Sequence, residues 1–119
     1  MAGNPSTSQK SNQPNVDFGP QVELSGFADL DTGLLLMLKK ISDNHVRKMS
    51  KRVPGFTKIK LVLKKIHHAT GAPRHDLLEL KGAAEVGAKV FHAEHTDRDL
   101  FIAVNKILHK LEEELGVRD

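Results

Sequence analysis

Residues 57–66, TKIKLVLKKI, decide the architecture. Ile59, Leu61 and Leu63 point to one side of an extended chain, while Lys58, Lys60 and Lys64 point to the other. A strand with one wet face suits an antiparallel sheet covered on a single side. Any helices in the chain are then expected to lie together on the covered side.

Working outward from this strand, the sequence supplies the remaining elements. On the N-terminal side, DLDTGLLLMLKKISDNHVRKMSKRVPG (29–55) reads as a helix that Asp31 or Thr32 can cap and Pro54-Gly55 ends. At 100° per residue Leu34, Leu38, Ile41, His45 and Met49 share one face, widened by Leu35, Val46 and Val53. Lys40, Arg47 and Lys51 line up on another flank, with Asn44 and Lys48 toward the edge of the core. Before it, Val22 and Leu24 alternate with Gln21, Glu23 and Ser25 in a short strand ending at Gly26. Residues 1–20 are rich in Ser, Asn, Gln and Pro and are expected to be a disordered tail, leaving residues 21–119 as one folded domain.

On the C-terminal side, HHATGAPR (67–74) supplies turn residues, HDLLELKGAA (75–84) reads as a third strand, EVGAK as a turn and KVFHAEH (89–95) as a fourth strand. The chain closes with EHTDRDLFIAVNKILHKLEEEL (94–115). Its stripe of Leu100, Val104, Ile107, Leu108, Leu111 and Leu115 predicts a second amphipathic helix. Thr96 is the expected N-cap, with Asp97 and Asp99 favoured by the helix dipole, and Gly116 the terminator. The order β-α-β-β-β-α, with two amphipathic helices and a sheet wet on one face, predicts an α+β fold. This is a two-layer sandwich with a four-stranded sheet and both helices on one side.

Composition narrows the function. The 119 residues contain no cysteine, which removes disulfides and thiolate metal sites. No apolar run approaches the length of a membrane span, and the N-terminus has no secretory pattern, so a cytoplasmic protein without a membrane partner is expected. Seven histidines show no HExxH spacing, and no metal or cofactor is expected. His45 is expected to be a partly buried, satisfied residue. Nucleophile-elbow and phosphate-loop patterns are absent, no carboxylate pair is marked as a tuned acid and base, and neither an enzyme nor a small-molecule substrate is expected.

The net charge of +3 conceals a strong asymmetry. Residues 1–38 carry one base and four acids, residues 39–65 ten bases and one acid, and residues 66–119 seven bases and ten acids. A block this dense suits a polyanion, because clustered Lys and Arg displace counterions condensed on phosphates. Lys40, Arg47, Lys48 and Lys51 on the first helix and Lys106 and Lys110 on the last are the expected RNA contacts, although each could simply be a solubilising surface residue. Lys58, Lys60 and Lys64 on the wet sheet face form a second candidate surface. With no Trp or Tyr, and with Phe91 and Phe101 needed for packing, stacking on exposed bases is not expected, and recognition of RNA backbone and shape is.

The ending TDRDLFIAVNKILHKLEEEL (96–115) resembles that of the ribosome hibernation-promoting factors, also called ribosome-associated inhibitor A or sigma-54 modulation proteins. Asp99, Leu100, Phe101, Ala103, Val104, Leu108, Lys110, Leu111, Glu112 and Leu115 carry the similarity. The element order over residues 21–115 agrees with that family's fold, which is like a double-stranded-RNA-binding domain. The resemblance implies a ribosome-binding translation inhibitor that docks on small-subunit rRNA and occludes the mRNA and tRNA channel under stress. Lys110 falls on a family basic position, and Arg74 in the 67–76 loop could also reach RNA. Glu113, Glu114, Gly116 and Val117 stand where relatives often carry basic residues, which shifts the expected load to the first helix and the following strand. The length suggests a short form, monomeric off the ribosome. A protein-interaction module using the glutamate-bearing helix, or a general structured-RNA binder, are the alternatives.

Overall fold

The computed structural model describes residues 16–66 and 77–117. Its elements are β1 (Val22–Ser25), α1 (Thr32–Arg52), β2 (Phe56–Ile66), β3 (Leu77–Val86), β4 (Lys89–Asp97) and α2 (Leu100–Leu115). The sheet order is β1-β2-β3-β4. β2, β3 and β4 pair antiparallel, whereas β1 runs parallel to β2. Parallel neighbours need a crossover, and α1 provides it. The expected α+β sandwich is therefore present, with a mixed sheet.

The alternation in β2 sets the two faces. Ile59, Leu61 and Leu63 are buried and lie opposite Ala84, Gly82 and Leu80 of β3. They join Leu35, Leu38, Val46 and Met49 of α1 and Val104, Ile107, Leu108 and Leu111 of α2 in one core, which places both helices on one side of the sheet. Gly82 allows α2 to sit tightly on β3, since a Cβ there would collide with the Ile107 side chain. Gly26 ends β1 at φ +85°, and a Cβ would meet the Leu63 carbonyl. A side chain is excluded at that position on both counts.

Three local expectations are corrected. The buried line of α1 is Leu35, Leu38, Ser42, Val46 and Met49, while Leu34, Ile41 and His45 are only half-buried. α1 has two neighbours, the sheet beneath and α2 beside, so its apolar arc is wide and its centre cannot be located from periodicity. Ser42 lies inside this line, and its hydroxyl has no hydrogen-bond partner among the described residues.

At the start of α2 the N-cap is Asp99 rather than Thr96. β4 continues to Asp97, with Thr96 opposite Glu79. The Asp99 carboxylate accepts the Ile102 N–H at 3.1 Å, and the Asp97 carboxylate accepts the Asp99 N–H at 3.0 Å. The two aspartates thus work in series, the first fixing the turn and the second capping the helix. Gly116 ends α2 in the left-handed region at φ 77°, and Val117 N–H bonds the Glu112 carbonyl, as a Schellman ending requires.

The third correction concerns the boundary expected at residue 20. Phe18 is buried at 7% exposure in the core beside Val22, and Val16 packs against the same cluster. Packing thus begins before Gln21, because Phe18 adds apolar area that the short β1 edge cannot supply. Residues 1–15 of the expected tail lie outside the described residues.

Candidate nucleic-acid interface

The fold divides the lysines between two surfaces with different electrostatics. On the outer face of the sheet every base has an acid nearby. Lys58 Nζ lies 2.7 Å from Glu23, and Lys60 Nζ lies 3.3 Å from Glu85. Lys64 is opposite Glu79, and Lys81 is opposite Glu94. The hydrogen bond from Lys58 holds the Glu23 carboxyl below its ordinary range, and the same bond raises the Lys58 ammonium above its own. Lys58, Lys60 and Lys64, the second candidate surface, thus belong to a charge ladder of the kind that stabilises neighbouring strands. Sequence reading missed it because the acids beside these lysines come from β1 and β3.

The helix face is different. Lys40, Arg47 and Lys51 are exposed along one stripe of α1, and among the described residues none has an ion-pair partner. On α2, Lys106 is likewise exposed and unpaired among the described residues. The two other helix lysines expected to contact RNA are engaged. Lys110 Nζ donates to the Glu94 carbonyl at 2.8 Å, reaching down to β4, and Lys48 Nζ lies 3.6 Å from Glu112. Arg74 falls in residues 67–76, outside the described residues. The structure therefore presents Lys40, Arg47, Lys51 and Lys106 directly to solvent, and Lys48 and Lys110 as held side chains.

Glu112 differs from its exposed neighbours Glu113 and Glu114, for it is 4% exposed. Its carboxylate accepts from His45 Nδ1 at 2.5 Å and faces Lys48. A buried carboxylate needs such partners, since desolvation of an unpaired charge is costly. The signal was present in the spacing, because Glu112 follows Leu108 by four residues on the edge of the apolar stripe. His45 is the half-buried, satisfied histidine expected, and its partner ties α1 to α2.

Between the helices runs an open groove of about 400 Å³ lined by His45, Phe101, Ile102, Asn105, Lys106 and His109. Among the described residues no group of His, Asp and Glu converges as a metal site, and no helix is long and apolar enough to cross a membrane.

The class defined so far is a β-α-β-β-β-α sandwich with a charge-balanced sheet face and a basic helix face. A solved structure described as a ribosomal subunit interface protein from Coxiella burnetii is similar to this chain. Its TM-score is 0.50 at 17% sequence identity, covering 81% of this chain and 91% of that one. At this identity the likeness concerns the fold. The N-terminal domain of Thermus thermophilus Protein Y is more distant, with a TM-score of 0.44 and 12% identity over 79% of this chain and 90% of that one. No family model and no curated protein matches the sequence.

Proposed function

We propose that the protein is a ribosome-associated factor of the hibernation-promoting type. In this reading it acts without catalysis in the cytoplasm, docking on small-subunit rRNA so that its body occludes the channel for messenger and transfer RNA. The observation that carries this reading is the row of Lys40, Arg47 and Lys51, exposed along one stripe of α1 without acidic partners among the described residues. Charges left unneutralised on one face, beside a sheet whose charges are balanced, suit a phosphate backbone. The fold shared with a ribosomal subunit interface protein supports the same reading.

The resemblance of residues 96–115 to the hibernation factors adds Lys110 to the docking surface, and Lys48 lies beside the α1 row. Both are held by intramolecular bonds, so they contribute less than the unpaired lysines. The alternative of a protein-interaction module using the glutamate-bearing helix is weakened by Glu112, which is buried against α1.

Co-sedimentation of the purified protein with purified small subunits tests the proposal. Binding should fall steeply with salt, with a logarithmic slope of roughly 0.7–0.9 per phosphate contact. The Lys40→Ala/Arg47→Ala/Lys51→Ala variant should stay folded and be lost from the subunit pellet. Preferential binding to whole subunits over a plain RNA duplex separates this function from general structured-RNA binding.

A further inference from the structure

We infer that the groove between α1 and α2 is a slot for one unpaired nucleobase of the RNA whose phosphates the cations of the helix face hold. The inference rests on the RNA-binding reading above and adds a specific contact to it.

Two separate observations point to a ligand. The first is the groove, which combines a half-buried aromatic ring and an exposed aliphatic side chain, Phe101 and Ile102, with the polar groups of Asn105, Lys106, His45 and His109. Ile102 is 46% exposed, although it belongs to the helix whose other aliphatic residues form the core. A flat, partly apolar solute with hydrogen-bonding edges matches that mixture, and a base stacked on a side-chain ring is such a solute.

The second is the pair behind the groove. Glu112 is buried and accepts from His45 Nδ1, which fixes the imidazole of a residue that lines the groove. Holding a groove histidine with a buried carboxylate is the arrangement by which a site fixes ring orientation and tautomer.

Part of the polar capacity remains on the groove side, although His109 Nε2 lies 3.6 Å from the Glu113 carboxylate. Asn105 uses its amide nitrogen on the Phe101 carbonyl at 3.0 Å, which leaves its side-chain oxygen to accept from a base edge. Lys106 has no ion pair among the described residues. The groove is open, so it cannot enclose a small molecule by itself, and its occupant needs anchoring outside. Lys106, itself in the groove lining, offers that anchoring to a phosphate, which selects a nucleotide within a chain over an apolar peptide. The expectation that bases do not stack here came from the scarcity of aromatic residues. One base needs only one ring, and Phe101 has one side on the core and another on the groove.

The test compares a fully paired RNA duplex with the same duplex carrying one bulged purine, at equal salt, with 2-aminopurine as a fluorescent bulge. The full chain should bind the bulged RNA about tenfold more tightly, with a fluorescence change at the bulge. The Ile102→Glu and Asn105→Ala variants, both at exposed positions, should remove that preference while retaining most of the duplex affinity. Equal affinity for the two RNAs, with both reduced by the Lys40/Arg47/Lys51 alanine variant, would overturn the slot and leave the phosphate surface standing. No affinity for either RNA would overturn the slot, and co-sedimentation with small subunits would then decide the ribosome reading separately. If RNA-free ribosomal proteins, and neither RNA, perturb the Phe101, Ile102 and Asn105 amide resonances, the groove belongs to a protein partner and the inference fails.

Discussion

Replacing Glu112 with Ala should destabilise the domain far more than replacing either neighbouring glutamate. The carboxylate is 4% exposed, lies 2.5 Å from His45 Nδ1 and 3.6 Å from Lys48 Nζ, and joins two helices that otherwise touch sparingly. Its removal leaves a half-buried imidazole and a half-buried ammonium without their anion and opens a small void. Breaking a buried pair costs about 3–5 kcal/mol when the stranded charge is fully enclosed. Lys48 retains solvent contact, which brings the expectation down to about 2–4 kcal/mol. For a domain of this size each kcal/mol lowers Tm by about 4–8 °C, so a fall of roughly 10–25 °C is expected. Thermal melts followed by circular dichroism, together with urea titrations, give the value directly. Glu113→Ala and Glu114→Ala, at exposed positions, should stay within about 0.5 kcal/mol of the parent. A paired replacement, His45→Leu with Glu112→Leu, should recover most of the loss, since apolar substitutes for buried ion pairs are often neutral. If Glu112→Ala melts within a few degrees of the parent, the carboxylate does not link the helices and the account of the interface is wrong.

Two further outcomes follow from the fold. The Asp97 carboxyl is held below its ordinary range, first by the Asp99 N–H and then by His95. Its folded value is depressed, so its contribution to stability is complete above the unfolded value of about 3.9 and disappears as pH falls through the folded value. Urea titrations between about pH 2 and 6 should therefore show a shallower acid limb for Asp97→Asn than for the parent. Gly82→Ala should destabilise by about 1–3 kcal/mol through overpacking against Ile107, and adding Ile107→Val should return part of that loss in chemical denaturation.

The strands and helices were legible because each has one face in the core, so apolar periodicity records them directly. TKIKLVLKKI and the Leu100 to Leu115 stripe kept the faces assigned to them. The N-cap was displaced by three residues because Thr96 and Asp99 are both good caps, and only the β3–β4 register shows that Thr96 is still in the strand. The candidate surface was half legible. A stripe such as Lys40, Arg47 and Lys51 is local to one helix and can be read from spacing. The neutralisation of Lys58 and Lys60 depends on acids brought from β1 and β3, and the burial of Glu112 depends on how α1 lies beside α2. Such pairings between distant parts of the chain have no signature in local sequence.

The central claim is that Lys40, Arg47 and Lys51 of α1, unpaired among the described residues, hold this protein on ribosomes. Gradient sedimentation of a stationary-phase lysate, probed for the chain across free, small-subunit, monosome and disome fractions, tests it most directly. The account predicts parent protein in the small-subunit and ribosome fractions, released by moderate salt. The Lys40→Ala/Arg47→Ala/Lys51→Ala variant, folded by circular dichroism, should remain at the top of the gradient. Parent protein confined to the free fractions, or a triple variant that sediments with ribosomes as the parent does, would contradict it.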